Sequence, residues 1–217
     1  MSTAGQVIII GVLLGLVYTL VSLGLQVTLG VLGVLLGMGI ALPEAVGALA
    51  KVRSVPGRMQ LVREAGAPLV VVDYAHTPDA LEKVLGTLRG VLPTGARLIC
   101  VFGCGGDRDP GKRPLMGEIA TRLADHAVIT SDNPRSEHPM AIIDDIVAGA
   151  HPNHATEPDR AAAIAHALYD SRPADVVLIA GKGHETYQEI DGIRLPFDDA
   201  QVARELMRRL PGRARHA

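Results

Sequence analysis

Four short apolar runs, each ending in a polar loop, constrain this chain more than any other feature. Leu69–Val72 leads into Asp73-Tyr74-Ala75-His76-Thr77, and Arg97–Phe102 into Gly103-Cys104-Gly105-Gly106-Asp107-Arg108-Asp109. Ala127–Thr130 leads into Ser131-Asp132-Asn133-Pro134-Arg135-Ser136-Glu137, and Val176–Ala180 into Gly181-Lys182-Gly183-His184-Glu185. Segments with helical spacing lie between them. Thr77 can cap a helix that opens on Pro78 and carries Leu81, Val84, Leu85, Leu88 and Val91 on one face. Further helices are expected over about 114–124, 140–150 and 160–169. A hairpin turning at Asp191-Gly192 comes next, then a helix capped by Asp198 or Asp199 and running to about Leu210. Strands alternating with helices predict an α/β fold with a mostly parallel sheet and flanking helices. All strand carboxyl ends then lie along one edge, so the four polar loops converge on a single crevice.

The chemistry of those loops narrows the ligand. Pro134 fixes its own φ and keeps Asn133 extended, so the loop that carries them is stiff. Asn133 offers a donor and an acceptor, and Arg108 and Arg135 offer planar forks matched to carboxylate or phosphate. Glu185 adds one carboxylate. Such a set suits a ligand that bears both carboxylate and ammonium groups, an amino acid. Other patterns fail on inspection. Gly106-Asp107-Arg108-Asp109-Pro110-Gly111-Lys112-Arg113 nearly matches GxxxxGK[ST], but Arg113 stands where the Mg²⁺-binding hydroxyl belongs, and two aspartates would face the phosphates. His184-Glu185 lacks the second histidine of HExxH. Asp73 and His76 read either as an acid/base pair or as contacts to a ribose and a backbone group. Asp144 and Asp145 read as a solvated helix face.

With 217 residues, the chain can hold one α/β domain and a smaller attachment. A net charge of −2 and the absence of Trp argue against a nucleic-acid partner. Cys100 and Cys104 are the only cysteines, which suggests core thiols in a reducing compartment and no metal site. Nothing before Glu44 is charged, and Val7–Leu36 is almost wholly apolar, longer than the ~20 residues of a membrane span. Residues 7–32 are therefore a candidate membrane helix. If it inserts, Lys51, Arg53, Arg58 and Arg63 would hold the adjoining segment on the cytoplasmic side. Residues 6–32 also resemble the first membrane helix of branched-chain amino-acid ABC transporter permeases. Val55-Pro56-Gly57-Arg58-Met59 reads as a turn and a boundary.

From about Val34 to Leu210 the chain resembles the Mur ligases of peptidoglycan synthesis, and among them the group that adds meso-diaminopimelate. The resemblance rests on VPGRMQLV, VVDYAHTPDAL, VFGCGGDRDPGKRPLM, SDNPRSE and AGKGHETYQ, in that order. It implies a Rossmann-like C-terminal amino-acid-binding domain over 63–210, preceded by a remnant of the family's central domain and linker over 34–62. Residues 1–33 would be the hydrophobic segment and 211–217 a disordered tail. It also implies that Arg108, Asn133, Arg135, Gly181 and Glu185 bind meso-diaminopimelate, and that Arg58 and Asp73, with His76 nearby, contact the nucleotide. The family's reaction uses ATP and Mg²⁺ to activate the carboxylate of a UDP-MurNAc-dipeptide as an acyl phosphate, which the amine of the bound amino acid attacks. Its implied setting is the cytoplasm.

Some of the family pattern has no match here. The UDP-binding domain, the true P-loop, the Mg²⁺ ligands and the modified lysine have no counterpart, and Gln60 stands where Glu is usual. The expectation is a chain with no catalytic residue of its own that does not turn over alone. A non-catalytic, membrane-tethered module binding diaminopimelate or nucleotide is the alternative.

Overall fold

The computed structural model describes residues 38–39, 41–49 and 55–210. The candidate membrane helix over 7–32, the permease resemblance and the tail from 211 onward lie outside the described residues. Among those described, no helix is long and apolar enough to cross a membrane.

A short helix α1 (Leu42–Leu49) precedes the sheet. Then come β1 (Gln60–Val62), β2 (Leu69–Asp73), α2 (Pro78–Val91), β3 (Leu98–Phe102), α3 (Lys112–Leu123), β4 (His126–Ile129), α4 (Pro139–Val147), β5 (His154–Thr156), α5 (Arg160–Asp170) and β6 (Val176–Ala180). The hairpin β7 (Tyr187–Ile190) and β8 (Ile193–Pro196) and the helix α6 (Asp199–Met207) complete it.

The main sheet has the order β1-β2-β6-β3-β4-β5, parallel throughout except for β1, which runs antiparallel to β2. Strands β3 and β6 are buried along their whole length, as a central parallel strand covered on both faces must be. Alternate residues serve alternate layers. Val71, Cys100, Phe102 and Leu178 face the layer of α2, α3 and α4, while Val70, Val72, Val101 and Ile179 face α5 and α6. Because β6 inserts between β2 and β3, the loops after these three strands and after β4 are neighbours at one edge.

The expected elements form, with corrections at their ends. Thr77 caps α2 by accepting from the Ala80 amide, and Leu81, Val84, Leu85 and Leu88 are buried, but Val91 is exposed at the final turn. The helix expected from Pro114 begins two residues earlier, at Lys112. Asp198 caps α6, whereas Asp199 turns inward. The hairpin turns through Asp191 and Gly192, both at positive φ, as a two-residue type I′ turn requires. Strands β1 and β5 were not expected, being three residues long and, in β5, small and polar; edge pairing rather than an apolar run defines them.

At the opposite edge of the sheet, the buried Asp175 carboxylate accepts from the amides of Arg97 and Arg172 and from both guanidinium groups. Burial alone would raise its pKa, but those donors outweigh it and hold the group below the usual carboxylate range. A depressed folded-state pKa gives stability that is fully present above the unfolded value of about 3.9 and disappears as pH falls through the folded value. Asp175→Asn is therefore expected to cost about 2–3 kcal/mol at pH 7. It should also lose less further stability than the parent between pH 5 and 3, as read by urea unfolding across that range.

Candidate functional site

The four loops meet in a cleft of about 550 Å³ at the carboxyl edge of the sheet. Its lining includes Arg108, Asn133, Arg135, Gly181 and Glu185, which brings all five residues expected to bind one ligand into a single space. Each is placed by its own piece of chain chemistry.

Gly181, directly after β6, adopts φ +115, and a Cβ there would stand 2.7 Å from Asp132 Oδ2, so glycine lets the two loops touch. Arg135 itself sits at φ 54, a left-handed conformation uncommon for arginine. The surrounding hydrogen bonds hold it there: its amide donates to Glu189 O at 3.0 Å, and its carbonyl accepts from the Asp191 amide at 2.7 Å. The loop after β4 thus adds to the outer edge of the β7–β8 hairpin. On its other side the Gly106 amide donates to Asn133 O, Arg135 Nη1 donates to Gly106 O, and Ser136 donates through both its amide and its hydroxyl to Asp107. The Ser136 donors keep the Asp107 carboxyl below its ordinary range.

The side chains of the cleft divide by charge. Arg108 is exposed, and Arg135 is half-buried with one arm on Gly106 O. Asn133 is almost fully buried; its Nδ2 donates to Glu185 Oε2 at 2.8 Å, and its Oδ1 accepts from Lys182 Nζ at 2.7 Å and from the Glu189 amide at 3.0 Å. The cleft thus contains the guanidinium groups of Arg108 and Arg135 and the Glu185 carboxylate held by the Asn133 amide.

The three residues expected at a nucleotide do not share one space. Arg58 and Asp73 line a separate recess of about 170 Å³ with Lys83 and Thr87, while His76 belongs to the larger cleft. Tyr74 links them: the Arg58 guanidinium lies 4.7 Å over its ring, and the His76 ring meets it edge-on at 4.5 Å. The acid/base pairing of Asp73 with His76 is overturned. Asp73 accepts from the Met59 and Ala75 amides, and His76 Nδ1 bonds to Tyr74 O, so each ring or carboxylate is tied to main chain. Burial nonetheless raises the Asp73 pKa, with those amides and Arg58 acting in the opposite direction. Gln60 takes a role a carboxylate could also fill, accepting from the Gly57 amide at 2.8 Å.

The P-loop-like segment builds no phosphate cradle. Asp109 accepts from the Gly111 amide, Lys112 Nζ donates to His76 O, and buried Arg113 pairs with Glu137 and Asp145. Asp144 and Asp145 are both exposed on α4, as a solvated helix face requires, and Asp145 reaches Arg113 from there. Both cysteines are buried, and burial pushes both thiols up to about 12, so neither is a nucleophile at neutral pH. No group of three His, Cys, Asp or Glu side chains close enough to hold a metal occurs among the described residues.

Two residues that shape the cleft were not singled out from sequence. Lys182 is fully buried against Asn133. Arg160, also buried, forms a two-pronged pair with Asp199 and donates to Ser131 O and Ala180 O, at the ends of β4 and β6. Burial would lower the Arg160 pKa, but the Asp199 carboxylate reverses this and raises it. A signal for Arg160 existed. An arginine at the first position of a helix opposes the helix dipole, which calls for a compensating carboxylate nearby.

Comparison with known proteins gives a consistent picture. The family model described as Mur ligase, glutamate ligase domain, matches residues 57–183. UDP-N-acetylmuramoyl-L-alanyl-D-glutamate–2,6-diaminopimelate ligase of Chromobacterium violaceum is 58% identical over 78% of this chain and 34% of its own length. The enzyme of the same name from an Acidovorax species is 54% identical over 88% of this chain and 39% of its own. That second match covers more than residues 34–217 contain, so it takes in part of the apolar stretch before Val34. A solved structure of a ligase with this name superposes with a TM-score of 0.70 at 44% identity, covering 82% of this chain and 37% of the other. The chain spans just over a third of the length of the curated relatives it matches.

Proposed function

The chain belongs to the Mur ligase family through its glutamate ligase domain, and from that premise we propose that its cleft binds meso-diaminopimelate for addition to UDP-MurNAc-L-Ala-D-Glu. The observation that carries this reading is the convergence of Arg108, Asn133, Arg135, Gly181 and Glu185 on one cleft. Diaminopimelate carries an ammonium and a carboxylate at each end, and the cleft offers groups complementary to both. The fork of Arg135 can pair with a carboxylate in two-pronged fashion. Lysine lacks the second carboxylate, and its binding would leave a partly desolvated guanidinium unpaired. The names of the relatives, which are ligases for 2,6-diaminopimelate, support the same choice.

In the proposed reaction the substrate's amine attacks an activated carboxylate, and this chain's part is to hold that amine in place. ATP would supply the activation, and the proposed nucleotide contacts are Arg58 and Asp73 of the smaller recess with His76 of the larger cleft. The stacked Arg58 suits a phosphate, whereas Asp73 already commits both oxygens to main-chain amides. Mg²⁺ would shield the phosphates of the bound nucleotide, and no step here passes through it. This role belongs to peptidoglycan precursor synthesis in the cytoplasm.

Calorimetric titration of the chain with meso-diaminopimelate and with L-lysine tests the proposal. The expected result is preference for the first by about a hundredfold or more. Equal affinity for both would sink it.

A further inference from the structure

We propose that Lys182 is a positioning residue that orients the Asn133 amide, and through it the Glu185 carboxylate, so that the cleft presents one carboxylate oxygen to an incoming ammonium group. This rests on the reading of the cleft as an amino-acid site and adds to it a residue with no contact to the ligand.

The argument is one of donors and acceptors. The Lys182 ammonium and the Glu189 amide can only donate, and both point at a single atom, Asn133 Oδ1, at 2.7 and 3.0 Å. The amide nitrogen must then face the other way, where it meets Glu185 Oε2 at 2.8 Å. With that oxygen held, Glu185 Oε1 has no hydrogen-bond partner among the described residues and is available to a cation in the cleft. Reversing the amide would place an N–H group against two donors and a carbonyl against a carboxylate. Lys182 is 0% exposed and its stem is enclosed, so its head group cannot swing away to solvent. It also lies 3.7 Å from Glu185 Oε2, near enough to oppose the charge the carboxylate would otherwise carry alone. Tyr187, whose ring lies 5.7 Å from Nζ, completes the surroundings.

A purely structural lysine and a positioning lysine predict different couplings. In a double-mutant cycle on the full chain, Lys182→Met should weaken meso-diaminopimelate binding about tenfold when Glu185 is present. It should cost less than threefold in the Glu185→Gln background, where there is no carboxylate to orient. Equal losses in both backgrounds would overturn the proposal. If the methionine variant fails to fold, Lys182→Gln, which keeps a donor for Asn133 Oδ1 but not the charge, should retain most of the binding, and a tenfold loss there would overturn the positioning role. A ligand-free measurement separates this idea from the amino-acid reading. In ¹⁵N spectra of the unliganded chain the Asn133 side-chain amide should give two well-separated, slowly exchanging protons that collapse towards solvent-like values in the Lys182 variant. If that occurs while the parent binds neither amino acid, the positioning role stands and the ligand assignment falls. An unchanged Asn133 signal would reject the positioning role whatever the ligand.

Discussion

Arg160→Ala is expected to remove about 3–5 kcal/mol of folding stability, a large share of the roughly 5–15 kcal/mol typical of a domain. The cost arises from the groups left behind. Asp199 would be a fully buried carboxylate stripped of its partner, and Ser131 O and Ala180 O would each lose a donor. Replacing both members of the pair, as Arg160→Met with Asp199→Leu, should recover a substantial part of the loss because no charge is stranded. Urea unfolding of the parent and both variants decides the matter. A loss below about 1 kcal/mol for the single variant would show that water reaches Asp199 and that the pair is not the brace between α5, α6 and the two strand ends.

The second large effect concerns recognition. Arg135→Ala should reduce affinity for meso-diaminopimelate at least a hundredfold, about 2.7 kcal/mol or more, and should bring it close to the affinity for lysine. Stability should fall by only about 1 kcal/mol, for the lost Arg135 Nη1–Gly106 O bond, since alanine keeps the main-chain bonds of residue 135. Arg135→Lys retains charge without the fork and should restore only part of the preference. Paired titrations with the two amino acids read the outcome. If the alanine variant still discriminates between them, the distal carboxylate is read by another group, of which Arg108 is the nearest candidate.

Much of this arrangement is legible in the sequence because it depends on short-range rules. Apolar runs such as Val176–Ala180 announce central strands, Thr77-Pro78 announces a helix start, and Asp191-Gly192 announces a tight hairpin. Parallel order then forces the loops together, which is why Arg108, Asn133, Arg135 and Glu185 group from the sequence alone, whereas Gly181 is implied only by the family resemblance. The parts that were not legible depend on long-range pairing. Strand β5 has no apolar pattern and exists because the edge of β4 accepts it. The fate of Asp73 required knowing that the turn at Met59, fourteen residues away, folds back onto it. The burial of Lys182 and Arg160 was hidden for a similar reason. Charge in a sequence reads as surface, and only the packed structure shows a carboxylate or amide waiting at the right distance.

The stitching of the loop after β4 between the Gly106 turn and the β7–β8 hairpin has a wider consequence. Main-chain bonds fix the frame, so the conformational entropy of ordering the recognition loop is lost when the protein folds and not when the ligand arrives. Scaffold and recognised chemistry are thereby separable. Side chains at 133, 135 and 185 can change what is bound while the backbone that displays them stays where it is. A frame of this kind can diverge to accept other amino acids through a few substitutions, without paying again for the shape of the pocket.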